Sequence, residues 1–174
     1  MTNEKQQGIR TVWWEEDAQG AAVCMIDQSL LPQQVKYLRL EHEQQVAEAI
    51  SILKVRGAPA IGITAAFGMA LALYRLLCEQ GTSLTLAEAQ RHLQDVGELL
   101  RRTRPTAVNL SWAIKRMQRC VERTISEQSD LHDLAQLLRN EAQTIADEDF
   151  DACMKMGTYG AELISDGDTL LTHC

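Results

Sequence analysis

A chain of 174 residues, 45% hydrophobic and 24% charged, has enough apolar surface for one globular core and is too ordinary in composition for a disordered segment. Its net charge of −7 argues against a general nucleic-acid or membrane-surface role, since both partners are anionic; a small phosphorylated ligand stays open if a few arginines make a local positive site. Residues 1–7 are polar with no apolar signal core, and Cys24, Cys78, Cys120, Cys153 and Cys174 show no zinc-ligand spacing. A reducing, cytoplasmic setting without a metal site is the expectation.

In chain order, residues 10–14 and 21–27 read as strands joined by a polar connection that ends on Gly20. Leu31-Pro32 breaks the chain, and residues 35–40 alternate as a third strand, completing a small antiparallel sheet over residues 1–42. Trp13 and Trp14 point to opposite faces, so one packs inward and the other covers an edge or a partner.

Helices dominate from Glu43. Val46, Ala49, Ile50 and Leu53 form a stripe that stops at Arg56-Gly57. Residues 59–78 are too uniformly apolar for a surface helix. Pro59, Gly62, Thr64, Gly68 and Arg75 interrupt them, which favours a buried core helix over a membrane span. Residues 84–102 and 106–126 are amphipathic, as is a helix through Leu131, Leu138 and Ile145 with Ser129 or Asp130 as its N-cap. A separate helix is expected over 149–164, with Gly157 and Gly160 permitting close packing. A turn at 165–168 then leads into an apolar strand from Thr169, which lacks an evident parallel partner, so the chain reads as truncated. Cys24, Cys78, Cys120 and Cys153 are expected in packed positions, and His42, His92 and His132 at the surface.

Three stretches carry candidate chemistry. In Arg56-Gly57-Ala58-Pro59-Ala60-Ile61-Gly62, proline suits the first helical position, which makes Ala58 the cap. The free amides of Gly57, Ala58, Ala60 and Ile61 and the helix dipole would then face an anion, with Arg56 as a bidentate donor. On spacing alone the same residues are better described as a plain joint between two helices, with Gly57 ending one and Pro59 starting the next. Arg101 and Arg102 complement a helix C-terminus, whereas Arg104 falls in the break before Pro105 and is free to point at a site or at solvent. Cys174 follows His173 at the end of an apolar strand. Neighbours in a strand face opposite ways, so His173 is not placed to activate it.

Together, residues 56–62, the stretch from Arg104 to Leu110, and Asp166-Gly167-Asp168 through Thr172-His173-Cys174 resemble the methylthioribose-1-phosphate isomerase family, as do Trp13-Trp14 and residues 46–50. The resemblance covers the first half of a family member. It implies that Arg56, Gly57, Ala58 and Arg104 bind a sugar phosphate and that Cys174 is the catalytic thiol. A catalytic aspartate is expected in the half that has no counterpart here. The implied fold is α+β: a small sheet (1–42), a helical part of the N-terminal domain (43–164), and the first strand (165–174) of an otherwise missing Rossmann-like domain. A homodimer without metal or organic cofactor is also implied. Ribose-1,5-bisphosphate isomerase and a non-catalytic initiation-factor exchange-complex subunit are the alternatives.

Overall fold

The computed structural model describes residues 10–124 and 130–171. Three antiparallel strands, β1 (Val12–Asp17), β2 (Gly20–Ile26) and β3 (Tyr37–Leu40), form a sheet in the order β1-β2-β3. The hairpin is tighter than the polar run suggested, because β1 continues to Asp17, which pairs with Gly20. Gly20, at φ 110°, occupies a backbone region that side chains disfavour. Period-two alternation divides the faces. Val12, Val23, Met25 and Leu40 join the main core, and Trp14 packs its ring against Phe67 and Tyr74. Trp13 lies on the other face, edge-on to Tyr37.

Five helices follow: α1 (Glu43–Ser51), α2 (Ala58–Gln80), α3 (Leu86–Thr103), α4 (Val108–Thr124) and α5 (Leu131–Ala161). α2 is the axle of the fold; α1, α3, α4, α5 and the sheet all pack on it. It is long and apolar enough to cross a membrane, but 78% of its most apolar window is buried inside the protein, as expected of a core helix. Close approach is possible because Gly68 faces Val46 with no room for a β-carbon: one built there would sit 2.8 Å from the valine Cγ1. α3 begins with a capping box in which Thr85 and Glu88 satisfy each other's backbone amides. α5 is capped by Asp130, whose carboxylate accepts the His132 amide.

Several expectations fail. The helices expected over 131–145 and 149–164 are one continuous 31-residue helix, since nothing between them breaks the backbone ladder. Its outer part is little covered among the described residues: residues 151–159 are exposed, and a β-carbon on Gly157 or Gly160 would meet open space, so these glycines do not serve close packing there. The strand expected from Thr169 is absent over residues 169–171, which are irregular and exposed. Leu171 is 97% exposed, and among the described residues no neighbouring strand offers hydrogen-bond partners. Cys78 and Cys153 are exposed rather than packed, Cys120 is half-buried, and only Cys24 of these four is buried. His132 is exposed as expected, whereas His42 and His92 are half-buried.

Candidate functional site

The α1–α2 joint is built to hold its backbone open. α1 ends in a Schellman turn: the Lys54 amide donates to the Ala49 carbonyl at 2.9 Å and the Leu53 amide to that of Ile50 at 3.3 Å. The residue in the left-handed position of that turn is Leu53, at φ 60°, where glycine is usual. Two ties pin the segment that follows. The Gln28 amide donates to the Lys54 carbonyl at 2.8 Å, and Val55 is fully buried.

Gly57, at φ 92° and ψ 128°, is the N-cap of α2; Ala58 is its first helical residue and Pro59 the second. The cap therefore lies one residue earlier than the proline suggested. The Ile61 amide is already used, donating to the Gly57 carbonyl at 3.0 Å. That leaves Ala58 and Ala60 as the first-turn amides without an intrahelical acceptor, because Pro59 has no N–H. Arg56 is exposed, with Nε 3.4 Å from the Leu53 carbonyl, so most of its donors are free.

Arg104 occupies the matching place before α4. It ends α3 at φ −148° and ψ 81°, and its carbonyl accepts the Ala107 amide at 3.0 Å. Among the described residues its half-buried side chain has no hydrogen-bond or ion-pair partner. Its neighbours differ: Arg101 and Arg102 both pair with Glu98, at 3.0 and 2.9 Å, as expected of cations at a helix end.

The two helix starts meet. A β-carbon on Gly62 would lie 2.9 Å from the Asn109 carbonyl oxygen and 3.4 Å from Ala113 Cβ, so α2 and α4 touch through backbone near their N-termini. Both positive dipole ends, with Arg56 and Arg104 in the preceding loops, thus belong to one end of the helical layer. Beside this contact a cavity of about 200 Å³ is lined by Pro59, Gly62, Ile63, Asn109, Trp112, Ile145, Glu148 and Asp149. Trp112 is 48% exposed and lies under the Arg116 guanidinium, 5.5 Å from the ring centroid. Arg116 also binds Glu141 and Glu148, and its hydrogen bond to Glu148 holds that carboxyl below the usual carboxylate range.

Of the residues singled out in the sequence, Arg56, Gly57 and Ala58 form one joint, and the Gly62–Asn109 contact brings the Arg104 loop to the same end of the bundle. Cys174 and His173 lie outside the described residues. Asn109 lies in the Arg104 to Leu110 stretch but was not singled out there, and Trp112, Glu148 and Asp149 carried no sequence signal of a site; a glycine within a uniformly apolar helix was the one hint that another backbone comes close.

Residues 54–174 match the Initiation factor 2 subunit family. Among similar proteins, one from Geotalea daltonii named methylthioribose-1-phosphate isomerase is 44% identical over 95% of this chain and 45% of its own length. Another of that name from Herpetosiphon aurantiacus is 42% identical over 95% and 43%. The crystal structure of 5-methylthioribose 1-phosphate isomerase from Pyrococcus horikoshii OT3 superimposes with a TM-score of 0.80 at 40% identity, covering 92% of this chain and 42% of that one. The translation initiation factor eIF-2B subunit delta from A. fulgidus does so with a TM-score of 0.75 at 33% identity, over 92% and 43%. The chain thus spans less than half the length of these relatives. With a family match over most of its length and these relatives alike over nearly all of it, the chain belongs to the Initiation factor 2 subunit family.

Proposed function

We propose that this chain forms the phosphate-binding part of an aldose–ketose isomerase that converts 5-methylthioribose 1-phosphate to 5-methylthioribulose 1-phosphate in methionine salvage. The observation that carries the reading is the junction of two helix N-termini at Gly62 and Asn109, with an arginine in the loop before each. Relatives of that name at 41–44% identity support it.

In this reading Arg56, Arg104 and the amides of Gly57 and Ala58 hold the phosphate. The anomeric oxygen carries that phosphate, so the ring does not open as a free sugar's does, and an acid must protonate the ring oxygen. The resemblance assigns that step to an aspartate beyond the part matched here. Cys174 serves hydrogen transfer between C2 and C1, as base or as stabiliser of the transition state. The complete enzyme is a cytoplasmic homodimer, with a Rossmann-like domain whose first strand is residues 165–174, acting on a small sugar phosphate without nucleic acid or membrane.

The test is titration of the chain with 5-methylthioribose 1-phosphate together with an isomerase assay. Binding with little turnover is the expected result, because Cys174 would lack its acid partner. Turnover equal to that of an intact relative would contradict the division of labour. Absence of binding would remove the phosphate site.

A further inference from the structure

The apolar stripe of α5 continues past the point where the core stops covering it. Leu138, Ala142 and Ile145 face the core, and the same alternation of four and three residues runs on through Asp149, Ala152, Met156, Tyr159 and Leu163. At about 100° per residue, all of these positions stay on one side of the helix axis. Met156, Tyr159 and Leu163 are 65%, 69% and 85% exposed, so the outer stripe is open among the described residues. Single exposed apolar residues are ordinary, but a contiguous strip in register with the core stripe marks a contact surface. The strip has two ends. Asp149 interrupts it on the inner side, and α5 stops at Ala161, with Leu163 in the closing turn where its amide donates to the Gly160 carbonyl.

We propose that the strip from Ala152 to Leu163 binds the same strip of a second copy of this chain, as an antiparallel helix pair. The charges beside the strip select that occupant. Lys155 and Glu162 stand one heptad apart on the same flank, and neither has a hydrogen-bond or ion-pair partner among the described residues. Seven residues separate them, too far for pairing within one helix. About a two-fold axis between residues 157 and 158, the strip matches itself. Ala152 meets Leu163 of the second copy, Met156 meets its Tyr159, and Lys155 faces its Glu162, each contact occurring twice. A parallel pair would set Lys155 beside Gly160 and make no ion pair. In the antiparallel register Asp149 falls opposite Asp166, which confines the contact to the turns between them, and residue 145 falls opposite residue 170, which leaves the two cores at opposite ends. Burial of the methionine, tyrosine and leucine drives the association, while the charges fix its direction. The pairing does not depend on the sugar-phosphate reading.

Sedimentation velocity of the 174-residue chain decides the matter, over a dilution series reaching about 500 μM, since a small interface binds weakly. A reversible equilibrium between monomer and dimer is expected. Met156→Glu puts a charge into the strip of both copies and should abolish the dimer. Lys155→Glu sets like charges against each other at two places and should weaken the dimer roughly tenfold. Glu162→Lys should do the same. The double variant Lys155→Glu with Glu162→Lys restores both pairs in reversed sense and should recover the parent's affinity. These side chains are exposed, so melting curves of all variants should match the parent's. A chain that is monomeric at every concentration would overturn the proposal and leave the strip to a different partner, such as further chain in a longer protein. A dimer that survives Met156→Glu would place the interface elsewhere. A double variant no better than the single ones would overturn the antiparallel register, and open-ended assemblies would overturn the two-fold pairing.

Discussion

Gly62 and Asn109 are in backbone contact: a β-carbon at residue 62 would sit 2.9 Å from the carbonyl oxygen of residue 109. No flexible side-chain end is available to move aside, because the atom in the way belongs to α4's own backbone. Gly62→Ala must therefore push the two helix starts apart. The expected cost is about 1–3 kcal/mol of folding stability, as for other overpacked interiors, measured by denaturant unfolding. Binding of the sugar phosphate should fall as well. Unchanged stability would mean that α4 shifts freely and that the junction does not position the site.

Leu53 offers the reverse case. It holds a left-handed backbone at the end of α1, where a leucine β-carbon costs roughly 1–2 kcal/mol. Its side chain is 39% exposed, so the packing of its covered part would be lost and offsets some of the gain. Leu53→Gly should then stabilise the protein by up to ~1 kcal/mol, after allowance for glycine's greater freedom in the unfolded chain. A lower melting temperature would show that the leucine side chain supports the joint in some other way.

Arg56 and Arg104 should act on ligand binding and not on folding. Each alanine substitution should weaken binding of 5-methylthioribose 1-phosphate by roughly 1.5–3 kcal/mol, about ten- to a hundredfold in Kd, by calorimetry. Arg56→Lys keeps the charge but loses the fork and should fall between the parent and Arg56→Ala. Melting temperatures should stay near the parent's, since neither side chain has an ion-pair partner among the described residues.

The thiols divide by environment. Burial, together with a hydrogen bond to Glu15 and its charge, pushes the Cys24 thiol up to about 11, so it is protonated and covered at neutral pH. Cys78 and Cys153 are exposed. Mass spectrometry after brief treatment with a thiol reagent at pH 8 should find both modified well before Cys24. The Cys24 shift also sets a sign: its stabilising contribution is fully present below the ordinary thiol range and fades as pH rises towards 11. Early labelling of Cys24 would contradict the closed sheet.

At the acid end the relevant pair is Arg116 and Glu148. The hydrogen bond holds Glu148 below the usual carboxylate range, so the unfolded chain binds the extra proton first. Stability from this pair is present above the ordinary carboxylate pKa and is lost as pH falls through the lowered value. Arg116→Gln should flatten the acid limb of a melting-temperature profile. A profile that keeps the parent's slope would show that the pair contributes nothing, as many half-exposed ion pairs do.

Much of this fold could be read from periodicity. The alternation around Val12, Val23 and Met25 and the three-and-four spacing through Leu93, Val96 and Leu100 report burial directly, and all of them are core residues. The join inside α5 could not be read that way. The apolar spacing traced one helix through Ile145 and a separate one from Asp149, yet the charged side chains of Asp147, Glu148 and Asp149 leave the backbone ladder intact when their heads reach solvent. Cys78 misled for a similar reason, since an apolar neighbourhood in sequence does not say which side of a helix a residue takes. At the site, Pro59 revealed the helix start to within one residue, because its ring restricts the backbone locally. That residue 62 lies against residue 109 depends on the packing of two distant helices, and no local rule contains it.

The uneven burial along α5 has a consequence for how its helicity is maintained. Starting a helix is costly and extending one is cheap, and a free segment as short as residues 151–161 would hardly be helical in water. Its turns persist as a continuation of the anchored stretch through Leu138, Ala142 and Ile145. The outer turns are thus on loan from the inner ones. A break at the boundary, such as Ala152→Pro, should remove the far-ultraviolet ellipticity of everything beyond it and leave the melting of the core where it was.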